Sequence, residues 1–465
     1  MKRLLMVGAG VSTVSLLKNL TKFKDLETLN IDIVDSQSQF GRGNAYIKDS
    51  THLMSNVPVH EMALDDDPNH LADWLDDKGI DYDRFCSRES FGQYMHDVLT
   101  DIIERHENVR YKYGTIDKID YDGKVYRTSL GGKIIEYDYV YLGIGMLEYV
   151  DPYELKGTPN FIYNAYPLTE NLKDIDGKVA VIGSGLSGID CVRYLLIERK
   201  LDRVYMFSRD KEMPAVRGKS HTFDFKYLTH EALDLRVNDN KLNLEDVKEL
   251  FLKEVRHHDI DLSLFERKTG RIIEDLTYDL EHQKSVGKLE YFLIEFNKIF
   301  THYLHKLSVD DQAYMMEHYH PYIDENYSPM PAAVAEDIVE WLLASKLIMV
   351  ENLEGIEHNN HFILKTEDAT YDMDVVINAT GPHNDIESSS NPLIKHLLSQ
   401  ELIKPHHLGG FEIDAHYHVI SPKHGVQKQM FALGELTFGM TYLSTAVFDI
   451  YEMTKDIAQE IKDVV

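Results

Sequence analysis

The 465-residue chain has a formal net charge of −29, from 49 Lys and Arg against 78 Asp and Glu. This acidic balance argues against nucleic acid and anionic membranes as partners, because both attract positive surfaces. The length predicts two or three domains.

Cysteine usage and hydropathy narrow the class further. Cys86 and Cys191 are the only cysteines, and their separation excludes the Cys-x-x-Cys pair of a dithiol redox relay. The apolar run near the start breaks at Gly8, too early for a signal peptide. No apolar stretch approaches the ~18 residues that a membrane span requires. These features predict a cytoplasmic protein without a membrane partner.

The first glycine motif follows a short apolar run, Leu4–Val7, which is typical of a buried parallel strand. The glycines Gly8 and Gly10 come next, then an amphipathic helix, and then a strand that ends at Asp35. This order is that of a dinucleotide-binding fold. Gly8 permits a tight turn, Gly10 lets the backbone approach a pyrophosphate at the helix N-terminus, and Asp35 accepts hydrogen bonds from the ribose. The alternative is a turn that binds no ligand.

The second glycine motif lies in mid-chain. The strand Lys178–Ile182 runs into Gly183–Gly188, which has all three glycines of the motif, and the next strand, Val204–Phe207, ends in Ser208 and Arg209. An acid there would repel a 2′-phosphate, whereas an Arg can pair with it. The sequence therefore favours NADPH over NADH. The alternative is an Arg that only solvates the strand end.

The chain also contains an internal repeat. Val109–Gly145 and Leu347–Gly381 both alternate apolar and polar residues and end in an acid, an apolar strand and small residues. Each predicts an antiparallel stretch after its glycine motif. The second copy closes on Ala379–Gly381, which resembles the Ala-Thr-Gly signature that marks the passage between the FAD and NAD(P) domains of two-dinucleotide flavoproteins.

Near the C-terminus, the predicted strand Met430–Leu433 is followed by Gly434 and Glu435, and a helix is predicted from about Ser444. In two-dinucleotide flavoproteins, such a Gly-acid pair contacts the ribityl and pyrophosphate region of FAD. The helix N-terminus then faces the flavin, where its partial positive charge stabilises the reduced form. Taken alone, a Gly-Glu pair after a strand is usually only a turn.

Several short motifs between the glycine motifs and at the C-terminus occur in a specific order. They are Gly41–Tyr46, Leu53–Pro58 with Met62, Asp66–Pro68 with Trp74-Leu75, Arg88 with Phe91–Tyr94, Ser208-Arg209 with Met213-Pro214, and Thr445–Val447. Their combination resembles the bacterial FAD-NAD(P)-binding family, often named only as uncharacterised FAD/NAD(P)-binding proteins. That family is similar to flavin N-hydroxylating monooxygenases. The chain departs from the family pattern at His318–His320 and Ser328–Pro331, on the substrate side.

The motifs and the resemblance together predict an α/β fold with two Rossmann-like dinucleotide-binding domains, like that of glutathione reductase. A discontinuous FAD domain is expected over residues 1–165 and 382–465, and an NADPH domain over 166–381. The polar, helical stretch at about 225–330 is predicted to be an insertion that forms either a lid or a dimer contact, so a homo-oligomer is one expectation. Its histidines lack metal-ligand spacing, and no metal site is predicted.

The resemblance and the motifs also imply the cofactor-binding residues. The residues expected to bind FAD are Gly8, Gly10, Val11, Ser12, Asp35, Ser36, Arg42, Gly43, Ala45, Tyr46, Asn56, Val57, Gly145, Gly434, Glu435 and Thr445. The residues expected to bind NADPH are Gly183, Gly185, Leu186, Ser187, Ser208, Arg209, Thr380 and Gly381. Asn56 is the candidate catalytic residue, as a hydrogen-bond partner near the reactive flavin edge; alternatively it ends a turn before Pro58.

By resemblance, NADPH would reduce FAD, and oxygen would form a flavin C4a-hydroperoxide that hydroxylates an amine or amino acid. The small-molecule substrate itself is not named by the sequence. One alternative is an NADPH-dependent flavin reductase that passes electrons to a quinone, a metal chelate or a protein. A second is a non-catalytic, flavin-binding redox sensor.

Overall fold

The computed structural model describes residues 1–37, 40–209, 213–443 and 445–464. The chain forms two compact units. The first comprises Met1–Thr51, Val57–Glu148 and Pro382–Val465, and the second comprises His52–Asn56 and Tyr149–Gly381.

The strands of the described residues are β1 Lys2–Val7, β2 Leu29–Asp35, β3 Val109–Tyr113, β4 Asp120–Tyr121, β5 Tyr126–Leu130, β6 Lys133–Tyr137, β7 Tyr139–Leu142, β8 Phe161–Ile162, β9 Val179–Ile182, β10 Val204–Phe207, β11 Leu347–Val350, β12 Leu353–Asn359, β13 His361–Thr366, β14 Thr370–Met373, β15 Val375–Asn378, β16 His418–Ser421 and β17 Gly425–Ala432. The α-helices are α1 Val11–Leu20, α2 His70–Lys78, α3 Arg88–Arg105, α4 Leu168–Asn171, α5 Leu186–Arg193, α6 His230–Asp234, α7 Leu244–His257, α8 Ile272–Glu281, α9 Gln283–Phe300, α10 Val309–His318, α11 His320–Tyr327, α12 Ala332–Leu343, α13 Pro392–Ser399, α14 Phe438–Thr441 and α15 Val447–Val464.

The first unit is built on a six-stranded sheet in the order β16-β17-β7-β1-β2-β3. All neighbours are parallel except β16 and β17. Consecutive residues of β1, Leu4 to Met6, are fully buried. This is expected of a central parallel strand that is covered on both faces. The predicted strand, glycine turn and helix are therefore present at the centre of this sheet.

The second unit has a parallel sheet in the order β11-β10-β9-β15-β8. Its central strand β9 is again buried along its length, and α5 follows the second glycine motif. The predicted α/β class with two Rossmann-like units is thus confirmed.

The internal repeat appears as an antiparallel three-stranded sheet in each unit. Strands β4-β5-β6 follow β3 and precede β7 in the first unit, and strands β12-β13-β14 follow β11 and precede β15 in the second. Each small sheet therefore connects two strands of its parallel sheet, as the repeated pattern indicates.

The limits of the second unit differ from the boundary expected at residue 165. The unit begins at Tyr149 because β8 pairs in parallel with β15. The short segment His52–Asn56 also belongs to it. There, Leu53 is 3% exposed and packs in the core that contains Val179 and Val181. Helices α6 to α11 occupy the predicted insertion.

Among the helices that the structure describes, none is both long enough and apolar enough to cross a bilayer.

A buried carboxylate ties together the strands on one side of the first sheet. Asp32 on β2 is 3% exposed, and it accepts hydrogen bonds from Tyr137 at 2.8 Å and Arg3 at 3.0 Å. The ammonium of Lys112 lies 2.7 Å from the same carboxyl. Burial alone would raise the pKa of Asp32, but these three partners together lower it.

We expect Asp32→Ala to lower the free energy of unfolding by about 3 kcal/mol, because removing one member of a buried charge network leaves the others desolvated and unpaired. Urea denaturation followed by circular dichroism would measure the loss. The control is Asp25→Ala at an exposed site, which should change stability by less than about 0.5 kcal/mol. An equal effect of the two substitutions would contradict the role given to Asp32.

Candidate functional site

The first glycine turn connects β1 to α1 through a close backbone contact. Gly8 has φ +91°, and a Cβ at this position would lie 2.2 Å from the carbonyl oxygen of Gly143. Helix α1 begins after Gly10, whose lack of a side chain leaves the N-terminus uncapped by its own residue. The first amide groups of α1, with the positive end of the helix dipole, form a site suited to a phosphate.

Asp35, at the end of β2, supports this turn from the side. Its Oδ2 accepts a hydrogen bond from the amide of Ala9 at 2.7 Å, and its Oδ1 accepts one from the amide of Gln37 at 2.8 Å. Each carboxylate oxygen retains a further lone pair for a ligand hydroxyl. Asp35 therefore fixes the turn and can also bind a ribose.

A cavity of ≈ 360 Å³ opens at this turn. It brings together the predicted FAD residues Gly8, Gly10, Val11, Ser12, Asp35, Ser36, Arg42, Gly43, Ala45, Tyr46, Gly145, Gly434, Glu435 and Thr445. Asn56 and Val57 do not line it. Asn56 groups with the second unit, because the neighbouring Leu53 packs into that unit's core. The structure therefore does not bring the candidate catalytic residue to this cavity.

Arg42 places a buried cation at the cavity wall. Arg42 is 5% exposed. Its guanidinium donates hydrogen bonds to the carbonyl of Glu89 and to the side-chain oxygen of Gln93. Among the residues that the structure describes, the buried Nε of Arg42 has no hydrogen-bond partner. Burial lowers the pKa of Arg42, but a guanidinium remains charged at neutral pH. An anionic ligand such as a pyrophosphate in the cavity would complement this charge.

Helix α3 holds the arginine and the neighbouring loop in place. Gln93 on α3 contacts Arg42 and donates to Asp97 at 2.7 Å. A Cβ at Gly92 would lie 1.9 Å from the carbonyl oxygen of Tyr46, so only glycine permits this approach of helix and loop. The ring of Tyr46 packs edge-on against Phe91. The Phe91–Tyr94 motif thus acts through packing around the cavity.

The C-terminal part of the first unit supplies an acid. Gly434, with φ +108°, follows β17 and leads into Glu435. Burial raises the pKa of the Glu435 carboxyl, and a hydrogen bond with Thr445 partly opposes this shift. Ser444, where a helix was predicted to start, lies outside the described residues; α15 begins at Val447. The Glu435 side chain lines the cavity, where it can hydrogen-bond a ligand.

Sequence reasoning missed other residues of this wall, among them Thr115, Ile116, Met146 and Asn391. Thr115 and Ile116 follow β3, the neighbour of β2 in the parallel sheet. The carboxyl ends of parallel strands are where such folds bind ligands. That rule applied to β3 would have found both residues.

The second glycine turn has the same construction. Gly183 has φ +116°, and a Cβ there would lie 2.4 Å from the carbonyl oxygen of Ala379. Helix α5 begins after Gly185. A cavity of ≈ 970 Å³ at this turn brings together all the residues predicted for NADPH, which are Gly183, Gly185, Leu186, Ser187, Ser208, Arg209, Thr380 and Gly381.

The helical insertion contributes to this second cavity. Pro321 and Asp324 on α11 and Ser328 just after it line the wall. The sequence departs from the family pattern at Ser328–Pro331. This departure indicated a distinctive segment, but it did not predict that the segment lines a cavity. Among the described residues, no group of three or more His, Cys, Asp or Glu is arranged to hold a metal ion.

The N-terminal part of the chain matches the model of a known protein family. Residues 5–147 match the model of the FAD-NAD(P)-binding family. This match confirms the resemblance seen in the sequence, and the family description names both predicted dinucleotides. A search of curated proteins finds no match.

Solved structures share the fold over nearly the whole chain. The ornithine N-hydroxylase of Kutzneria sp. 744 is 14% identical with a TM-score of 0.61, and the alignment covers 99% of each chain. L-lysine 6-monooxygenase from Pseudomonas syringae is 14% identical with a TM-score of 0.63, with 100% of each chain covered. The cadaverine monooxygenase of Erwinia amylovora is 15% identical with a TM-score of 0.61, covering 99% of this chain and 94% of that one.

We expect Arg42→Met to weaken FAD binding by about tenfold to a hundredfold, because a charge-assisted hydrogen bond contributes roughly 1.5–3 kcal/mol. Fluorescence titration of the apoprotein with FAD would measure the dissociation constant. Arg110→Met, an exposed arginine on β3, is the matched control and should bind FAD normally. Unchanged affinity in Arg42→Met would show that the guanidinium does not face the ligand.

A half-buried histidine, His406, lies beside the segment that carries Glu435. His406 Nδ1 accepts a hydrogen bond from the amide of Leu408 at 3.1 Å, which requires this nitrogen to be unprotonated. Burial lowers the pKa of His406 to about 4, and the charge of His407 adds to the shift. The backbone near His406 also contacts the segment that follows Glu435. The amide of Gly439, in that segment, donates a hydrogen bond to the carbonyl of Gly409 at 3.2 Å.

Acidification should therefore destabilise the first unit. The unfolded chain takes up a proton on His406 below a pKa of about 6.5, whereas the folded chain takes it up only near pH 4. This contribution to stability is present above pH 6.5 and is lost as the pH falls to 4. In His406→Asn, whose amide oxygen can still accept, the thermal midpoint should fall less over this range. His407→Asn removes only the smaller, charge contribution to the shift, so its slope should lie between those of the natural protein and His406→Asn. Identical slopes for all three would refute the assignment.

Proposed function

We propose that the chain is an FAD-dependent, NADPH-using monooxygenase that hydroxylates the amino group of a small amine or amino acid. The first unit would bind FAD and the second NADPH. The observation that carries the proposal is the pair of glycine-turn cavities, each at a helix N-terminus, in a fold shared along its length with three amine-oxidising monooxygenases.

The contacts of the first cavity support its assignment to FAD. The amides at the start of α1 and the charge of the Arg42 guanidinium at the cavity wall would bind the pyrophosphate. Asp35 would accept from the adenosine ribose, next to the amides that it already binds. Glu435, which lines the same cavity, would hydrogen-bond the ribityl side of FAD.

FAD, when bound, would supply the redox chemistry between NADPH and oxygen. The residues of this chain bind the cofactor, orient it and neutralise its phosphates. No carboxylate or histidine of the chain needs to attack the substrate. This division of roles agrees with the absence of a nucleophile and base pair from the predicted residues.

The residues that follow β10 support the assignment of the second cavity to NADPH. Ser208 is fixed at the sheet edge, where its amide donates to Val350 at 3.0 Å. Arg209 follows it, is exposed, and lines the cavity. A guanidinium at this position can pair with a 2′-phosphate, which distinguishes NADPH from NADH.

A small amine is the substrate class shared by the three similar proteins, which are named for ornithine, lysine and cadaverine. The test is oxygen uptake and NADPH consumption by the purified protein with FAD, with and without each of these amines. Amine-dependent oxygen uptake and a product heavier by one oxygen atom would support the proposal. Rapid NADPH oxidation that yields no oxygenated amine would favour a reductase, and no NADPH oxidation would favour a non-catalytic role.

We expect Arg209→Ala to reduce the preference for NADPH over NADH by about tenfold to a hundredfold, because a charge-assisted pair with the 2′-phosphate is lost. The measurement is the ratio of kcat/KM for the two nucleotides in flavin reduction. Arg203→Ala, at the start of the same strand and away from the cavity, is the control. If the ratio stays unchanged in Arg209→Ala, the 2′-phosphate lies elsewhere.

A further inference from the structure

The helical insertion encloses a second kind of cavity, distinct from the one at the glycine turn. Its volume is ≈ 420 Å³, within the range of ~300–1,000 Å³ that is typical of small-molecule sites. The wall is almost entirely apolar and is formed by α7, α9, α10, α11 and the turn between α7 and α8. The apolar residues that line it include Val247, Phe251, Leu293, Phe296, Phe300 and Ile323.

The mouth of this cavity exposes apolar side chains to solvent. Leu252 is 41% exposed and Tyr322 is 48% exposed, and both line the cavity. Apolar surface of this kind at the entrance of an apolar cavity is typical of a ligand site.

Lys248 is the cation at the edge of the cavity. It is half-buried, and its ammonium lies 5.3 Å from the ring centre of Tyr314 and 5.4 Å from that of Tyr319. A hydrogen bond to Glu245 raises its pKa, so it is charged at neutral pH. Glu245 is 81% exposed, and exposed pairs of this kind are weak. A carboxylate at the cavity mouth could therefore share or replace Glu245.

The other charged residue of the wall, Glu266, is exposed to solvent, where its charge is screened. Lys248 is held against the aromatic rings and is less exposed. Lys248 is therefore the group at this mouth that can pair with a carboxylate at the end of an apolar chain.

Helix α11 lies between this cavity and the one at the glycine turn. Tyr322 and Ile323 line the apolar cavity. Pro321 and Asp324, on the same helix, and Ser328 after it line the glycine-turn cavity. The spacing of three and seven residues among the second set places them on one side of a helix. A shift of α11 on ligand binding would therefore change the shape of both cavities.

We propose that the apolar cavity of the insertion binds a medium-chain fatty acid, with its chain among the aromatic residues and its carboxylate at Lys248. We further infer from the shared helix α11 that its occupation changes the affinity of the second unit for NADP+. This second inference rests on the proposed assignment of the glycine-turn cavity to NADPH.

The first test is calorimetric titration of the full-length protein with dodecanoate in the absence of nucleotide. We expect saturable binding of one molecule. Lys248→Met should weaken it about tenfold, because a charge-assisted contact is lost. Leu252→Glu, at an exposed position of the mouth, should weaken it at least as much by repelling the carboxylate.

Two controls test whether binding requires the carboxylate of the fatty acid and whether it requires Lys248. Lys253→Met, on the same helix and paired with Glu249, should bind dodecanoate like the natural protein. Dodecanol, which has the same chain without the charge, should bind about tenfold more weakly. Absence of saturable binding, equal effects of Lys248→Met and Lys253→Met, or equal affinity for dodecanol would each overturn the fatty-acid site.

The second test repeats an NADP+ titration with and without saturating dodecanoate. We expect the NADP+ dissociation constant to change by about fivefold or more, within the usual range of allosteric coupling, and the change to disappear in Leu252→Glu. An unchanged constant would overturn the coupling. Failure to bind NADP+ at all would instead refute the assignment of the glycine-turn cavity, which the dodecanoate titration does not depend on.

Discussion

The contact on which each unit depends is that of a glycine turn with the end of the neighbouring parallel strand. In the first unit, Gly8 faces the carbonyl of Gly143, whose amide in turn donates to Val7 at 2.9 Å. In the second, Gly183 faces the carbonyl of Ala379, whose amide donates to Ile182 at 2.8 Å. A side chain at either glycine would collide with backbone that cannot move away without breaking the sheet. The turn, the helix N-terminus and the cavity beside it therefore follow from one steric condition that is met twice.

This condition also explains which features could be predicted from sequence. A glycine motif, the strand before it and the residue that closes the next strand are local, and local geometry fixes where they meet. Asp35 and Arg209 occupy equivalent ends of β2 and β10, and both line their cavities. The role of Ala379–Gly381 at the end of β15 could be predicted for the same reason, because small residues are required where this strand meets the glycine turn.

Features that depend on tertiary packing could not be predicted from the local sequence. The sequence around Asn56 resembles a flavin-site motif, yet its position is set by Leu53, which packs in the second core. The boundary at Tyr149 depends on β8, a two-residue strand whose existence requires pairing with β15. Asp324 reaches the second cavity because of how the insertion folds. No periodicity within α11 distinguishes the side that lines the glycine-turn cavity from the side that lines the apolar cavity.

A chain with a net charge of −29 can still bind two polyanionic cofactors, because charge acts locally. At physiological ionic strength, exposed charges are screened beyond about 8 Å, so distant carboxylates contribute little at the glycine turns. The helix N-termini of α1 and α5 supply positive potential from amide groups that no acidic residue neutralises in their first turns. Arg42 is buried at the wall of the first cavity, donates to the neutral Gln93 and to a backbone carbonyl, and adds a positive charge there. The acidic surface and the phosphate sites are therefore compatible, since the selective element is the immediate neighbourhood of each turn.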